Sequence, residues 1–195
     1  MKKLLLVTSP PACGKTFVSK QLSKALKNIV YLDKDTLIPL SHQIFKAANE
    51  EPNRSSQFFE DWIRNPEYDV IVDLALEALD YAEIVLINAP FTREIRNQEW
   101  MDNMMAKLKE KDAKLYIIWV DTDIEVCRQR MIERNSDRDT WKLANWDEYI
   151  ASRDYSIPNL FPDPNCNGEL IIFHNSSTEE YEASLKEVSA YLLDK

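Results

Sequence analysis

The sequence predicts a three-layer α/β/α fold in which helices cover both faces of a five-stranded parallel sheet. Three observations lead there: five apolar runs of strand length, a helical pattern between each run and the next, and a turn after the first run with the makeup of a phosphate loop.

The first run is Lys3–Val7, and residues 9–16 follow it as Ser-Pro-Pro-Ala-Cys-Gly-Lys-Thr. They meet the pattern G-x-x-x-x-G-K-[ST] at every fixed position but the first, where Ser9 stands for Gly. Residues 15–27 then carry Val18, Leu22, Ala25 and Leu26 at helical spacing, so the order is strand, loop, helix. Pro11, Ala12, Cys13, Gly14, Lys15 and Thr16 form the cradle. Backbone N–H groups of such a loop converge on a β-phosphate, and the helix N-terminus adds partial positive charge. Lys15 is suited to the β- and γ-phosphates of ATP and the Thr16 hydroxyl to Mg2+. The plainer alternative, that Gly-Lys-Thr only caps a helix, does not account for the strand before it. The chain has 2 glycines, and one of them stands before this Lys-Thr pair.

The second run, Ile29–Leu32, leads into Asp33-Lys34-Asp35, an Asp-x-Asp at the edge where open parallel sheets bind ligands. If the chain stays extended, period-two spacing puts both carboxylates on one side. The alternative is that one of them caps a helix starting near Thr36. About 50 residues separate the second and third runs, too many for a bare crossover. Segments 37–48 and 56–64 read as a helical pair and 67–82 as the returning helix. Tyr31, Phe45, Phe58, Phe59, Trp62, Tyr68 and Phe91 are mainly core candidates, with one or two left over to line a pocket.

The third run, Ile84–Ile87, ends in Asn88, where many P-loop proteins place a Mg2+-supporting Asp. Arg93 and Arg96 follow, three apart. Contact with a substrate phosphate or carboxylate and surface pairing with Glu94 or Glu99 are equally open for them. The fourth run is Leu115–Val120, with Thr122 and Glu125 spaced as a capping box. The fifth is Leu170–Phe173, with Ser177 and Glu180 spaced the same way. Ser156–Gly168, with three prolines, reads as a surface loop, and Tyr181, Leu185, Val188 and Leu192 form the core stripe of the last helix.

Composition narrows the function. A net charge of −9 argues against broad nucleic-acid binding, which draws its affinity from Lys and Arg. Residues 128–142 depart from this balance, with Arg128, Arg130, Arg134, Arg138 and Lys142 against three acids, and a basic island of that size suits a compact anionic ligand. Three cysteines without metal-ligand spacing argue against a disulfide framework or a zinc site. Cys13 reads as a passive small residue rather than a reactive thiol. His42 and His174 have no partner that suggests a metal or a nucleophile. No run has the length of a membrane span, and Met1-Lys2-Lys3 leads into the first strand without a cleavage site, so a cytoplasmic location is expected.

Together, the phosphate loop, the Asp-x-Asp and the Arg-rich segment resemble the small P-loop kinases of the shikimate, gluconate and nucleoside-monophosphate kinase group. The chain looks closest to the zeta-toxin-like and chloramphenicol-phosphotransferase-like ATP-binding proteins assigned to the AAA family. The resemblance covers nearly the whole chain in element order and is specific in those three motifs. It implies a P-loop NTPase sheet ordered 2-3-1-4-5 and one domain over 1–195, with a substrate-binding insertion at 36–82 and a lid at 128–147. It further implies transfer of the ATP γ-phosphate to a small-molecule hydroxyl or, second, a phosphate. Asp35 is then the base or acceptor-orienting group, Asp33 the metal-side carboxylate, and Arg134 and Arg138 the arginines over the transferred group. Arg128 and Arg130 are expected to be solvated or salt-bridged. Trp141 and Trp146 are open between stacking on adenine and anchoring the segment. Two rivals stand: a polynucleotide 5′-hydroxyl kinase, which the acidic charge disfavours, and a nucleotide-binding regulator or toxin-like protein without efficient turnover, kept open by Ser9 and Asn88.

Overall fold

The computed structural model describes residues 1–136, 139–161, 163 and 166–194. Five parallel strands, β1 (Lys2–Thr8), β2 (Val30–Asp33), β3 (Ile84–Asn88), β4 (Ala113–Asp121) and β5 (Gly168–His174), pair in the order β2-β3-β1-β4-β5. This is the order that the resemblance implies. β1 lies at the centre, so Leu4, Leu5, Leu6 and Val7 are all fully buried. Alternation along the strand sends them to opposite faces. Leu4 and Leu6 join Tyr68, Ile71, Ala75 and Met104 on one side, and Leu5 and Val7 join Val18, Leu22, Val188 and Leu192 on the other. Each such side chain contributes roughly 1.5–3 kcal/mol on leaving water, which makes β1 the axis of both cores.

The helices that cover these faces are α1 (Lys15–Leu26), α2 (Ile38–Ala47), α3 (Gln57–Phe59), α4 (Asn65–Ala78), α5 (Gln98–Glu110), α6 (Ile124–Arg134), α7 (Thr140–Ala144), α8 (Trp146–Ala151) and α9 (Thr178–Asp194). Two local outcomes depart from the sequence pattern. Segments 56–64 and 67–82 are not separate: α3 passes through a π-helical turn at Glu60–Arg64 directly into α4. Pro66, which has no N–H to donate, falls just after that turn, in the first turn of α4. Thr122 does not cap α6, whose first turn has no side-chain cap, because its hydroxyl goes elsewhere. Ser177 does accept from the Glu180 N–H at 3.1 Å, while the Glu180 carboxylate reaches the Ser176 N–H.

The core expectation holds for Phe45, Phe59, Tyr68 and Phe91, and fails for Trp62, which is 68% exposed beside the π-helical turn. No helix among the described residues is long and apolar enough to cross a membrane.

Candidate active site

The loop after β1 is bent by two left-handed residues, Ala12 at φ 68° and Gly14 at φ 85°. Gly14 is required twice over. That φ disfavours L side chains, and a Cβ there would lie 2.5 Å from Asn175 Nδ2. Ser9 is absent from the left-handed positions. It is buried and its hydroxyl donates to the Pro10 carbonyl at 2.9 Å, so this backbone makes no demand for glycine at the first motif position.

The loop is tied down from behind through a single atom. The Cys13 carbonyl accepts from Asn175 Nδ2 at 2.7 Å, Thr122 Oγ1 at 3.0 Å and an Arg130 guanidinium nitrogen at 3.3 Å, and Arg130 also donates to the Asn175 carbonyl at 2.7 Å. Sequence reasoning missed this brace. Thr122 and Asn175 sit just past the ends of β4 and β5, a placement that only strand pairing reveals, and Arg130 is not the surface arginine it was expected to be. The Cys13 thiol lies 3.5 Å from the Cys127 sulfur, and that contact together with burial pushes it up, in keeping with a packing role.

In front of the loop, Lys15 Nζ donates to Asn88 Oδ1 at 2.7 Å. Asn88 Nδ2 faces Asp33 Oδ2 at 2.8 Å, Thr16 Oγ1 at 3.2 Å and the Tyr31 hydroxyl at 3.3 Å, and Tyr31 donates to Asp33 Oδ2 at 2.9 Å. Burial pushes the Lys15 ammonium down to about 8, against the opposing pull of Asp35 and Asp33. The ends of three neighbouring strands therefore bring together Lys15, Thr16, Asp33 and Asn88.

Asp33 and Asp35 do not share a strand face. β2 ends at Asp33 and the chain turns into a 3-10 turn at Lys34–Leu37, which Asp33 caps by accepting from the Asp35 N–H at 3.0 Å. Asp35 is instead exposed, at the rim of two adjoining cavities. One, of about 580 Å³, is lined by Gly14, Lys15, Thr16, Arg130 and Arg134, and the other, of about 730 Å³, by Arg54, Arg64, Tyr68, Arg93 and Arg153. Asp35 lines both.

Arg93 and Arg96 line the larger cleft, paired with carboxylates other than the expected ones. Arg93 meets Glu60 at 2.7 Å, and Arg96 meets Asp154 at 3.1 Å with its guanidinium over Trp119. Arg134 lines the loop cavity and pairs with the buried Asp139, which Lys142 also reaches. α6 stops at Arg134 with Asn135 in the left-handed region, so no continuous helix aligns Arg134 with Arg138, and Arg138 lies outside the described residues. Trp141 and Trp146 line neither cavity, and Trp146 packs on Tyr149 under Arg128.

Residues 4–155 match the AAA domain family model AAA_33, and the chain belongs to that family. No curated protein matches it by sequence. Among solved structures it resembles, over 99% of its own length and 97% of the other, a putative kinase from Chloroflexus aurantiacus (TM-score 0.65, 19% identity). An APS kinase from Mycobacterium tuberculosis, solved with AMPPNP and APS, is similar over 100% of this chain and 98% of its own (TM-score 0.55, 17% identity). A shikimate kinase from Bacteroides thetaiotaomicron is similar over 98% of each chain (TM-score 0.50, 13% identity). At these identities the likeness is one of fold, that of the small-molecule P-loop kinases.

Proposed function

We propose that the protein transfers the γ-phosphate of ATP to a hydroxyl of a small molecule, with a phosphate acceptor as the less favoured variant. The observation that carries this reading is the position of Asp35 at the shared rim of the loop cavity and the larger cleft. A carboxylate there touches both a nucleotide's terminal phosphate and an acceptor held opposite.

In this reading residues 11–16 hold the triphosphate, and Lys15 neutralises charge on its β- and γ-oxygens. Asp35 orients the acceptor hydroxyl and takes its proton. Arg134, with Arg138, closes over the transferred group as part of a lid at 128–147, while the helices of 36–82 carry the acceptor. Phosphoryl transfer gains mainly from such positioning and charge neutralisation, and closure keeps water from competing. The hard oxygens of Thr16 and Asp33, grouped by Asn88 beside Lys15, fit Mg2+, which takes one or two protein oxygens and otherwise water and phosphate. Bound there, the ion would neutralise phosphate charge. Asn88 supplies no negative charge, which favours as a second reading a nucleotide sensor without turnover.

Calorimetric binding of MgATP followed by an acceptor-library screen separates these readings. Tight binding with transfer to one acceptor, lost in Lys15→Ala, supports the kinase. Asp35→Asn should lose transfer while keeping nucleotide affinity, and full activity in that variant sinks the assignment. Binding without transfer to any acceptor favours the sensor.

A further inference from the structure

Two sulfurs face each other behind the phosphate loop. Cys13 lies within the loop and Cys127 on α6, and their Sγ atoms are 3.5 Å apart although 114 positions separate them in the chain. Both are buried in the core on the α1 and α9 side of the sheet, at 2% and 0% exposure. Cys13 takes no part in lining the loop cavity, whereas its neighbours Ala12 and Gly14 do. α6 also carries Arg130, which braces the Cys13 carbonyl, and Arg134, and both arginines line that cavity. The remaining cysteine, Cys166, is partly exposed and turns its thiol to the Gly168 carbonyl at 3.4 Å.

In the reduced protein the contact between Cys13 and Cys127 is packing. Bonded sulfurs sit about 2.05 Å apart, so the pair is about 1.5 Å short of a disulfide. Closing that gap draws Cys13 toward α6, and the loop has little freedom to absorb the shift. Ala12 and Gly14 hold left-handed φ of 68° and 85°, and the Cys13 carbonyl accepts three hydrogen bonds. We propose that Cys13 and Cys127 are a modification site, joined in a reversible disulfide by a hydroperoxide, and that this bond displaces the phosphate loop and weakens nucleotide binding. The proposal goes beyond the phosphotransferase reading and needs only that the loop bind a nucleotide.

Hydrogen peroxide is small, and a local opening of the loop lets it reach the pair. The facing Cys13 thiol and the Arg130 charge hold the Cys127 thiol below its ordinary value, and the thiolate is the nucleophile. The Cys127 sulfur attacks one peroxide oxygen, the O–O bond breaks, and hydroxide leaves and takes up the thiol proton as water. The sulfenic acid left on Cys127 is then attacked by the Cys13 sulfur. The S–S bond forms, the S–O bond breaks, and the hydroxyl departs with the Cys13 proton as a second water. Two thiols and one peroxide thus give one disulfide and two waters, with one electron drawn from each sulfur. Linkage requires the reverse effect as well, so a bound nucleotide opposes the bond by the factor through which the bond weakens the nucleotide. A loss of about tenfold in affinity corresponds to a rise of about 30 mV in the reduction potential of the disulfide at saturating nucleotide.

The test treats the full chain with hydrogen peroxide, alkylates the remaining thiols under denaturing conditions and maps the peptides by mass spectrometry. The expected product is a peptide cross-linked from Cys13 to Cys127, released by dithiothreitol. Calorimetry should show MgAMPPNP binding about tenfold weaker in the oxidised protein and recovered on reduction. Saturating MgAMPPNP during the treatment should slow bond formation. Cys127→Ala should keep its affinity after peroxide, with Cys127→Ser as the second variant if the smaller side chain loosens the core. Cys166→Ala should still form the bond and lose affinity. Thiols that survive peroxide, a sulfinic acid on Cys127 with Cys13 unbonded, a bond to Cys166, or a Cys13 to Cys127 bond without change in affinity each overturn the proposal. Failure of the reduced protein to bind MgAMPPNP sinks the functional reading and the effect on binding with it, while the peptide map by itself decides whether the bond forms.

Discussion

Lys15 and Asn88 are joined by a 2.7 Å hydrogen bond from ammonium to amide oxygen, so the phosphate-loop lysine is held by a neutral group. The same amide presents its N–H groups to Asp33, Thr16 and Tyr31. An Asn at this position therefore does something an Asp cannot: it satisfies a lysine and a carboxylate at once.

Asn88→Asp replaces the donor facing Asp33 with a like charge. We expect a loss of about 1–3 kcal/mol in stability, the cost of leaving a buried polar group unsatisfied, partly restored by millimolar Mg2+, which bridges carboxylates. Thermal unfolding with and without Mg2+ measures both effects. An unchanged melting temperature would refute the role given to the amide.

The depressed Lys15 ammonium predicts a proton linkage. With its value pushed down by burial to about 8, Lys15 is charged below that pH and largely neutral above it. A triphosphate binds the charged form, so above pH 8 binding must take up a proton. MgATP affinity should fall about tenfold from pH 7 to pH 9, as measured by calorimetry in buffers of different ionisation enthalpy. A flat profile over that range would show that Lys15 titrates higher.

The brace behind the loop predicts a loss of nucleotide affinity from a residue far away in sequence. Asn175→Ala removes the 2.7 Å donor to the Cys13 carbonyl and should weaken MgATP binding with a stability cost of about 1 kcal/mol. Gly14→Ala should do worse. It meets both a disfavoured φ, worth about 1–3 kcal/mol, and the Asn175 amide. Equal affinities for both variants and the native protein would separate the brace from binding.

Glu67 joins the 3-10 turn after β2 to α4 and to the loop before α3. Burial works against its ionisation, yet hydrogen bonds from Arg54, Lys34 and Ser41 outweigh it and hold the carboxyl at about 2. The folded value lies below the unfolded one, so the stabilisation is complete above the ordinary carboxylate range and fades as pH falls toward 2. Glu67→Gln leaves the buried Lys34 ammonium only the exposed Asp35, 3.8 Å away, as a charged partner and should cost about 3–5 kcal/mol. Urea unfolding at pH 7 tests this, and a midpoint within error of the native one would contradict it.

The strands, the phosphate loop and the parallel sheet were legible in the sequence because each depends on local chemistry. Apolar runs of strand length must be buried, helical spacing makes one face of each helix, and Gly14-Lys15-Thr16 has its meaning in the order of its neighbours. Asp33 and Asp35 were legible as residues but not as geometry, since an extended chain and a 3-10 turn are both compatible with Tyr-Leu-Asp-Lys-Asp. Thr122 illustrates the same limit. Its spacing to Glu125 is that of a cap, yet its hydroxyl is taken by a carbonyl 109 residues away.

What the sequence determined by itself was therefore the set of elements and the loop that faces a phosphate. The tertiary structure decided the rest: that Asn175, Thr122 and Arg130 meet on one carbonyl, that Asn88 stands between Lys15 and Asp33, and that Asp35 leaves the strand to line both the loop cavity and the larger cleft. The reason is physical. Periodicity reports which side of an element is buried, whereas a polar contact across the sheet depends on which strand ends lie side by side, and that is fixed only when the whole core packs.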